Sequence, residues 1–188
     1  MRNAIVNMKG LDMFVNSMND AEYREIQKHL TTTDRSRVNF TCFDLYRQYF
    51  DSLLNTITIS KDLYTLKRLA KKLDWSTNVE DILTNNSFEA LVVTDLSRKI
   101  VWVNDGFSSM TGYSKQDAIN KSPYFLQGSR TSEETRDRIR KKLALNQPFK
   151  EVIINHRKDN TTYKCELHIF PLYNENTTHF LALEKRIA

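Results

Sequence analysis

Ala90-Leu-Val-Val-Thr-Asp-Leu-Ser-Arg-Lys-Ile-Val-Trp-Val-Asn-Asp-Gly-Phe-Ser-Ser-Met-Thr-Gly-Tyr-Ser114 is the stretch on which the fold turns. Ala90–Thr94 and Lys99–Asn104 are short β-branched runs, and Asp95-Leu-Ser-Arg98 between them reads as a turn, so the pair is a strand–turn–strand. Asp105-Gly106 could make a second hairpin turn. Phe107, Met110 and the stop at Gly112 suit a short helix better, with Asn104 or Asp105 as its cap.

Downstream the pattern stays mixed. Ser114 with Asp117 opens another helical turn, and Thr131 with Glu134 opens a longer helix through Leu143, whose inner side carries Ile139 and Leu143. Three strands follow, at Phe149–Arg157, Thr162–Pro171 and Thr178–Ile187. Asp159-Asn160 supplies residues that tolerate the positive φ of a tight hairpin, and Asn174-Glu-Asn176 makes the second turn. The order is two strands, several short helices and a three-strand meander, an α+β pattern.

Upstream the chain changes character. After Gly10, neither glycine nor proline occurs until Gly106, which is expected of helices joined by short polar turns. Ala4, Met8, Leu11, Val15 and Met18 form one helical stripe. Further helices are expected from Asn19 to Leu30, from Thr41 to Ile57 and from Ser60 to Leu73. Such stripes usually mean core packing, and a dimer seam or a signalling helix is the alternative. The expected organisation is a helical region over 1–86 and a mixed domain over 87–188.

Composition narrows the class. Hydrophobic residues make up 40% of the 188-residue chain, so a packed core is expected and wholesale disorder is excluded. The net charge of +5 is concentrated in the second half, with Arg136, Arg138, Arg140, Lys141 and Lys142 on one segment. That excess falls short of the dense patch of a dedicated nucleic-acid binder. Cys42 and Cys165 offer neither a disulfide framework nor zinc-ligand spacing. No apolar run approaches the ~18 residues of a membrane span, and no signal peptide opens the chain, so the cytoplasm is the default expectation.

Several motifs in register now carry a resemblance. Ala90-Leu-Val-Val-Thr-Asp95, Val101-Trp-Val-Asn-Asp-Gly-Phe107, Met110-Thr-Gly-Tyr-Ser114 and Phe125-Leu-Gln-Gly128 together resemble a PAS sensor domain over roughly residues 87–187. The resemblance implies a five-stranded antiparallel sheet with short helices on one face. Within that superfamily the chain is most similar to the light-oxygen-voltage branch, which binds a flavin between helices and sheet. Asn120-Lys-Ser-Pro-Tyr-Phe-Leu-Gln-Gly128 stands where that branch carries Gly-x-Asn-Cys-Arg-Phe-Leu-Gln-Gly, and Asn155-His-Arg-Lys-Asp159 resembles its Asn-Tyr-Arg-Lys-Asp segment.

The departures matter as much. Pro123 stands for the photoactive cysteine, so no thiolate can add to a flavin from that position. Ser122 stands for a flavin-contacting asparagine, Tyr124 for a phosphate-binding arginine, Cys165 for a second asparagine and Glu184 for the glutamine that relays flavin state. Thr94, Gln127 and Asn155 are retained, and the resemblance implies a phosphate contact for Arg140. The candidate cofactor-binding residues are Thr94, Asn104, Gln127, Arg140, Asn155, Cys165 and Glu184, and FMN is the cofactor implied. No catalytic or metal site is expected.

Strand alternation tests these positions independently. Tyr163, Cys165, Leu167 and Ile169 share one face, so Cys165 lies on the apolar side, where a small core residue is the plainer reading and a ligand or redox contact the alternative. Glu184 shares a face with Phe180 and Ala182, opposite Leu181 and Leu183. Both faces are apolar, so an inward carboxyl needing a raised pKa and a solvated strand end remain equally open. Asn155 and Gln127 suit the polar edge of a ligand, or simply loop and turn hydrogen bonds. Of the basic cluster, Arg140 is the member best placed to reach inward, the rest reading as a solvated face.

The leading expectation is a non-catalytic sensory module that responds to a small ligand or redox state and signals through protein contacts, in a homodimer or with a signalling partner. A ligand-free scaffold is the alternative. A nucleic-acid-associated regulator is disfavoured, and neither a nucleophile–base pair nor a phosphate-cradling glycine loop argues for an enzyme.

Overall fold

Val92 and Val93 illustrate how the sheet is built: neighbours on one strand, both buried, pointing to opposite faces. The computed structural model describes residues 38–187, with side chains from residue 57 onward and at Tyr49. The helices expected at Ala4–Met18 and Asn19–Leu30 lie outside the described residues. The chain divides into two compact units, Met1–Asn55 and Thr56–Ala188, and the second holds the sheet.

Helix α1 runs unbroken over Val38–Leu73, so the two helices expected from Thr41 and Ser60 are one. Ser60 does not cap, because no glycine or proline interrupts the segment and a lone serine is tolerated within a helix; the Thr65 hydroxyl, inside the same helix, bonds back to the Lys61 carbonyl at 3.0 Å. Asp74, at φ 53°, ends the helix. The short helix α2 (Val79–Thr84) is capped by Asn78, whose side chain accepts from the Glu80 and Asp81 amides.

Strands β1 (Ala90–Asp95) and β2 (Ile100–Val103) form the expected hairpin. Helices α3 (Asp105–Thr111) and α4 (Lys115–Ala118), a 3-10 turn (Pro123–Leu126) and α5 (Glu133–Ala144) lead to β3 (Phe149–His156), β4 (Thr162–Tyr173) and β5 (Thr177–Ile187). Gly112, at φ 76°, closes α3 in the left-handed conformation that favours glycine. Gly106 answers a different need: a Cβ there would lie 1.8 Å from the Glu89 carbonyl oxygen. The cap of α5 is Ser132 rather than Thr131. The Thr131 hydroxyl is engaged elsewhere, accepting from the Gly128 amide at 3.0 Å and donating to the Ile154 carbonyl at 2.6 Å.

The sheet is antiparallel throughout, in the order β2-β1-β5-β4-β3. Its inner face packs Val92, Ile153, Cys165, Leu167, Ile169 and Phe180 against Phe107, Met110, Leu126, Ile139 and Leu143 of the short helices and α5. On the outer face, Leu91, Val93, Leu172, Leu181 and Leu183 pack against Leu66 of α1, Trp75, and Val79 and Leu83 of α2. This is an α+β fold with a five-stranded antiparallel sheet, the short helices lying on one face as expected. The other face is also partly covered. Trp75 reinforces that cover, its indole N–H donating to Thr178 Oγ1 at 3.1 Å, and the Ser76 amide donates to the Tyr173 carbonyl at 2.7 Å.

Candidate ligand cavity

The inner face is not filled to the end. Between the sheet, the 3-10 turn and α5 lies a cavity of about 150 Å³ whose walls are mostly aliphatic, from Val92, Leu126, Ile139, Leu143, Ile153, Leu167 and Ile169, with Phe180 and Ala182. Polar side chains line it from several elements, among them Thr94 on β1, Gln127 after the 3-10 turn, Arg140 on α5, Asn155 on β3 and Glu184 on β5. Each of these was a candidate from the sequence, and the fold brings them to one space. Pro123 is in the wall as well.

Glu184 points inward, which resolves the ambiguity of its strand. It pairs in register with Ala90 on one side and Leu167 on the other, and only 4% of its surface is exposed. Burial pushes its carboxyl up to about 7, so near neutral pH it exists as both acid and carboxylate. The Cys165 thiol lies 4.0 Å from its Oε2. Asn155 is buried too, and the Gln127 side-chain oxygen is buried with no hydrogen-bond partner. A buried acceptor left unmade is costly, by roughly 1–3 kcal/mol, unless something else in the site satisfies it.

Two candidates do not reach the cavity wall. Asn104 is the cap of α3: its Oδ1 accepts from the Leu91 amide at 2.9 Å and the Phe107 amide at 3.0 Å, and its Nδ2 donates to Asp62 Oδ2 of α1 at 2.8 Å. With both ends of the amide engaged, its work is to tie β1, α3 and α1 together. Cys165 is fully buried in the inner core beside Glu184, as the plainer reading had it. Burial first, then the charge of Glu184, pushes its thiol pKa up, away from thiolate chemistry.

The sequence reading missed Arg136. It lines the cavity with Arg98, Tyr124 and Arg140, and its side chain is 16% exposed against 55% for Arg140. Its guanidinium stacks 4.9 Å from the centre of the Tyr124 ring. One terminal nitrogen donates to the Tyr124 hydroxyl and to Glu133, both at 2.8 Å, and the other to the Gly128 carbonyl at 3.2 Å. Nε is buried without a partner. The signal was in the spacing: 136, 140 and 143 recur on one helical stripe, so Arg136 shares the face of Leu143.

The rest of the basic cluster is largely neutralised. Arg138 pairs with Glu134 at 2.9 Å and Glu151 at 3.3 Å, and Lys142 with Glu151 at 3.0 Å. Among the described residues no group of three or more His, Cys, Asp or Glu could hold a metal ion, and no described helix is long and apolar enough to cross a membrane.

A family model of the PAS domain matches residues 89–184, half of the chain, and the chain belongs to the PAS domain family. That family is a sensor fold and generally non-catalytic. Within it, the fold is related to light-oxygen-voltage photoreceptor domains. The chain is 34% identical over 107 residues to a blue-light photoreceptor of Listeria innocua, covering 55% of this chain and 42% of that protein. It is 31% identical over 101 residues to a nitrogen fixation regulatory protein of Klebsiella oxytoca, covering 53% of this chain and 20% of that one. The match thus spans less than half the length of these curated relatives. Among solved structures, the light-oxygen-voltage domain of a blue-light-activated histidine kinase from Erythrobacter litoralis aligns at a TM-score of 0.51 and 26% identity, over 55% of this chain and 98% of that one. A light-oxygen-voltage domain studied with a flavin analogue aligns at 0.54 and 25% identity, over 60% and 87%.

Proposed function

We propose that this domain is a non-catalytic sensory module whose cavity takes a small ligand, FMN being the first candidate, and which signals through protein contacts. What carries the reading is the cavity itself: an aliphatic slot with a titratable acid, an amide pair and a threonine at its polar positions and guanidinium groups in the wall. Such a wall suits a planar heteroaromatic body with a polar edge and an anionic tail. The orphaned Gln127 oxygen is a ready acceptor for a ring N–H.

The residues fit a flavin in kind. In size, about 150 Å³ is the volume that holds one benzene-sized ring. A wider ligand therefore requires the Arg136–Tyr124 pair to swing aside. A bound flavin would supply light absorption and redox chemistry. The protein's own share is to hold the ring edge with Gln127, Asn155 and Glu184, and to exclude water with the aliphatic wall. Pro123 carries no thiol, and Cys165 is buried outside the wall, so a cysteine adduct is not part of the proposal.

Glu184 and Leu183 are adjacent on β5, one facing the cavity and the other facing α1 and α2. A ligand that shifts β5 by its contact with Glu184 therefore shifts the seat of α1. A differential affinity of about tenfold between two such arrangements is worth ~1.4 kcal/mol, ordinary for this kind of coupling. The output surface would then serve a second copy of the chain or a signalling partner.

The small cavity favours a second reading, a ligand-free interaction scaffold. One experiment separates the two. The visible spectrum of freshly purified protein is recorded, and the small molecules released on denaturation are analysed by mass spectrometry. A flavin band and released FMN support the sensor. Colourless protein that releases nothing, and takes up no flavin when it is offered, leaves the scaffold.

A further inference from the structure

We propose that the groove between residues 127–130 and the β3–β4 hairpin is a second ligand site, built for a nucleoside phosphate: Arg130 and Arg157 take the phosphates, and Tyr113 and Phe125 take the base. The groove shares only Gln127 with the inner cavity among the described residues. The inference therefore stands whether or not that cavity holds a ligand.

The groove is basic and rich in donors. Arg130, His156 and Arg157 line it with the hydroxyls of Ser129, Thr161 and Thr162, and no described Asp or Glu does. Its volume is about 700 Å³, within the range of sites that take small organic molecules whole.

Arg157 is set for an anion in advance. Its Nε donates to the Met110 carbonyl and one terminal nitrogen donates to Thr161 Oγ1, both at 3.0 Å. The guanidinium also lies 4.6 Å from the centre of the Tyr163 ring. Its other terminal nitrogen has no partner among the described residues. Asp159, two residues on, is turned to Thr161 instead, accepting from its amide at 2.9 Å and its hydroxyl at 2.6 Å. A guanidinium fixed by neutral partners keeps its charge for a ligand and loses little freedom on binding. Arg130 is exposed and likewise makes no ion pair with a described residue. By contrast, Arg136, Arg138 and Arg140 each already hold a carboxylate.

His156 adds a polar atom with nothing to bond. Its Nδ1 is buried without a partner, and its ring fills the space that a Cβ on Gly128 would need. A buried polar nitrogen left unmade is costly, and a ligand oxygen that reaches it removes the cost. The apolar part of the lining is aromatic: Tyr113 and Phe125 meet edge to face with 5.0 Å between ring centres, and Lys121 lies 5.4 Å from the Phe125 ring. Aromatic rings beside uncompensated cations suit a molecule with both a flat ring and oxyanions, and a nucleoside phosphate is a compact class that has both.

Titration calorimetry of the full chain with ADP, pyrophosphate and adenosine tests the site, on the wild type, Arg130→Ala, Arg157→Lys and Lys141→Ala. Lys141 is an exposed cation of α5 that lines neither space, so its variant removes the same charge elsewhere. The expected result is saturable binding of ADP, at least about fivefold tighter than pyrophosphate and about tenfold tighter than adenosine. Arg130→Ala, which has no ion pair to lose, should weaken ADP about three- to tenfold. Arg157→Lys keeps the charge without the fork and should weaken it by about the same factor, while Lys141→Ala stays within about twofold. No saturable ADP binding, pyrophosphate binding as tightly as ADP, or equal losses in Arg130→Ala and Lys141→Ala would each overturn the proposal. ADP binding untouched by both Arg130→Ala and Arg157→Lys would put the nucleotide elsewhere on the protein, and overturn it as well.

Discussion

The two faces of the one sheet are built to opposite specifications. Where α1 and α2 cover it, the outer face is closed and apolar, with Leu66, Leu83, Leu91, Val93, Leu172, Leu181 and Leu183 buried together. The inner face has an equally apolar core, yet it keeps an unfilled space and sets Glu184, Asn155 and Gln127 around it. The same strands supply both: on β5, Leu181 and Leu183 face out while Phe180, Ala182 and Glu184 face in. A tight apolar face is what stability asks for, whereas a void beside a buried acid lowers it. The inner face bears that cost, so its arrangement is the one to explain by binding.

Substitutions along β5 and its neighbours break or sharpen this contrast. The largest effect belongs to the outer face. Leu183→Ala, at a fully packed position, should cost about 2–5 kcal/mol in urea unfolding at any pH where the protein folds. A loss below about 1 kcal/mol would mean that α1 and α2 do not seal that face.

Next comes Glu184→Gln on the inner face, where the effect depends on pH. The carboxyl moves from an ordinary 4.5 to about 7 on folding, so between those values the unfolded chain has released its proton and the native protein has not. Stability is then lost as pH rises through that window. The variant lacks the loss, so it should match the wild type near pH 4 and exceed it by roughly 3 kcal/mol at pH 8. Parallel curves for the two proteins from pH 4 to 8 would show that Glu184 is not a buried acid.

Asn104→Ala probes the tie between the faces. It strands the buried Leu91 and Phe107 amides and the Asp62 carboxyl, whose own pKa burial already raises. The expected cost is about 1–3 kcal/mol, with flavin affinity retained because Asn104 is not in the cavity wall. Loss of ligand affinity without loss of stability would return Asn104 to the site. The smallest effect is expected at Val152, on the outer face of β3 beyond the helical cover and 41% exposed. Val152→Thr should change unfolding stability by no more than about 0.5 kcal/mol.

Much of this was legible in the sequence because strands and caps obey short-range rules. Period-two alternation put Cys165 on the apolar side, and Ser114 with Asp117 announced the capping box that opens α4. What escaped was decided by distant partners. Thr131 looked like a cap but bonds to Ile154 across the fold, leaving the cap to Ser132. Asn104 read correctly as a candidate cap of α3, but the reach of the same amide to β1 and to Asp62 of α1 depends on residues far along the chain. Glu184 had apolar neighbours on both sides of its strand, and no local rule could tell which face held an open space. Arg136 sat in a charged run where exposure is the ordinary expectation. Its burial follows from Tyr124 and Gly128, which only the folded chain brings alongside.

The central claim is that the polar groups on the inner face surround a ligand. Side-chain amide signals of Gln127 and Asn155, assigned by Gln127→Leu and Asn155→Leu in nitrogen-15-labelled protein, report on it directly during a titration with FMN. Both sets should move together and saturate at one equivalent, with Trp75 on the opposite face responding only as far as β5 relays the change. Flavin that binds while both amide pairs stay in place, or amide signals indifferent to FMN at any concentration, would contradict the account.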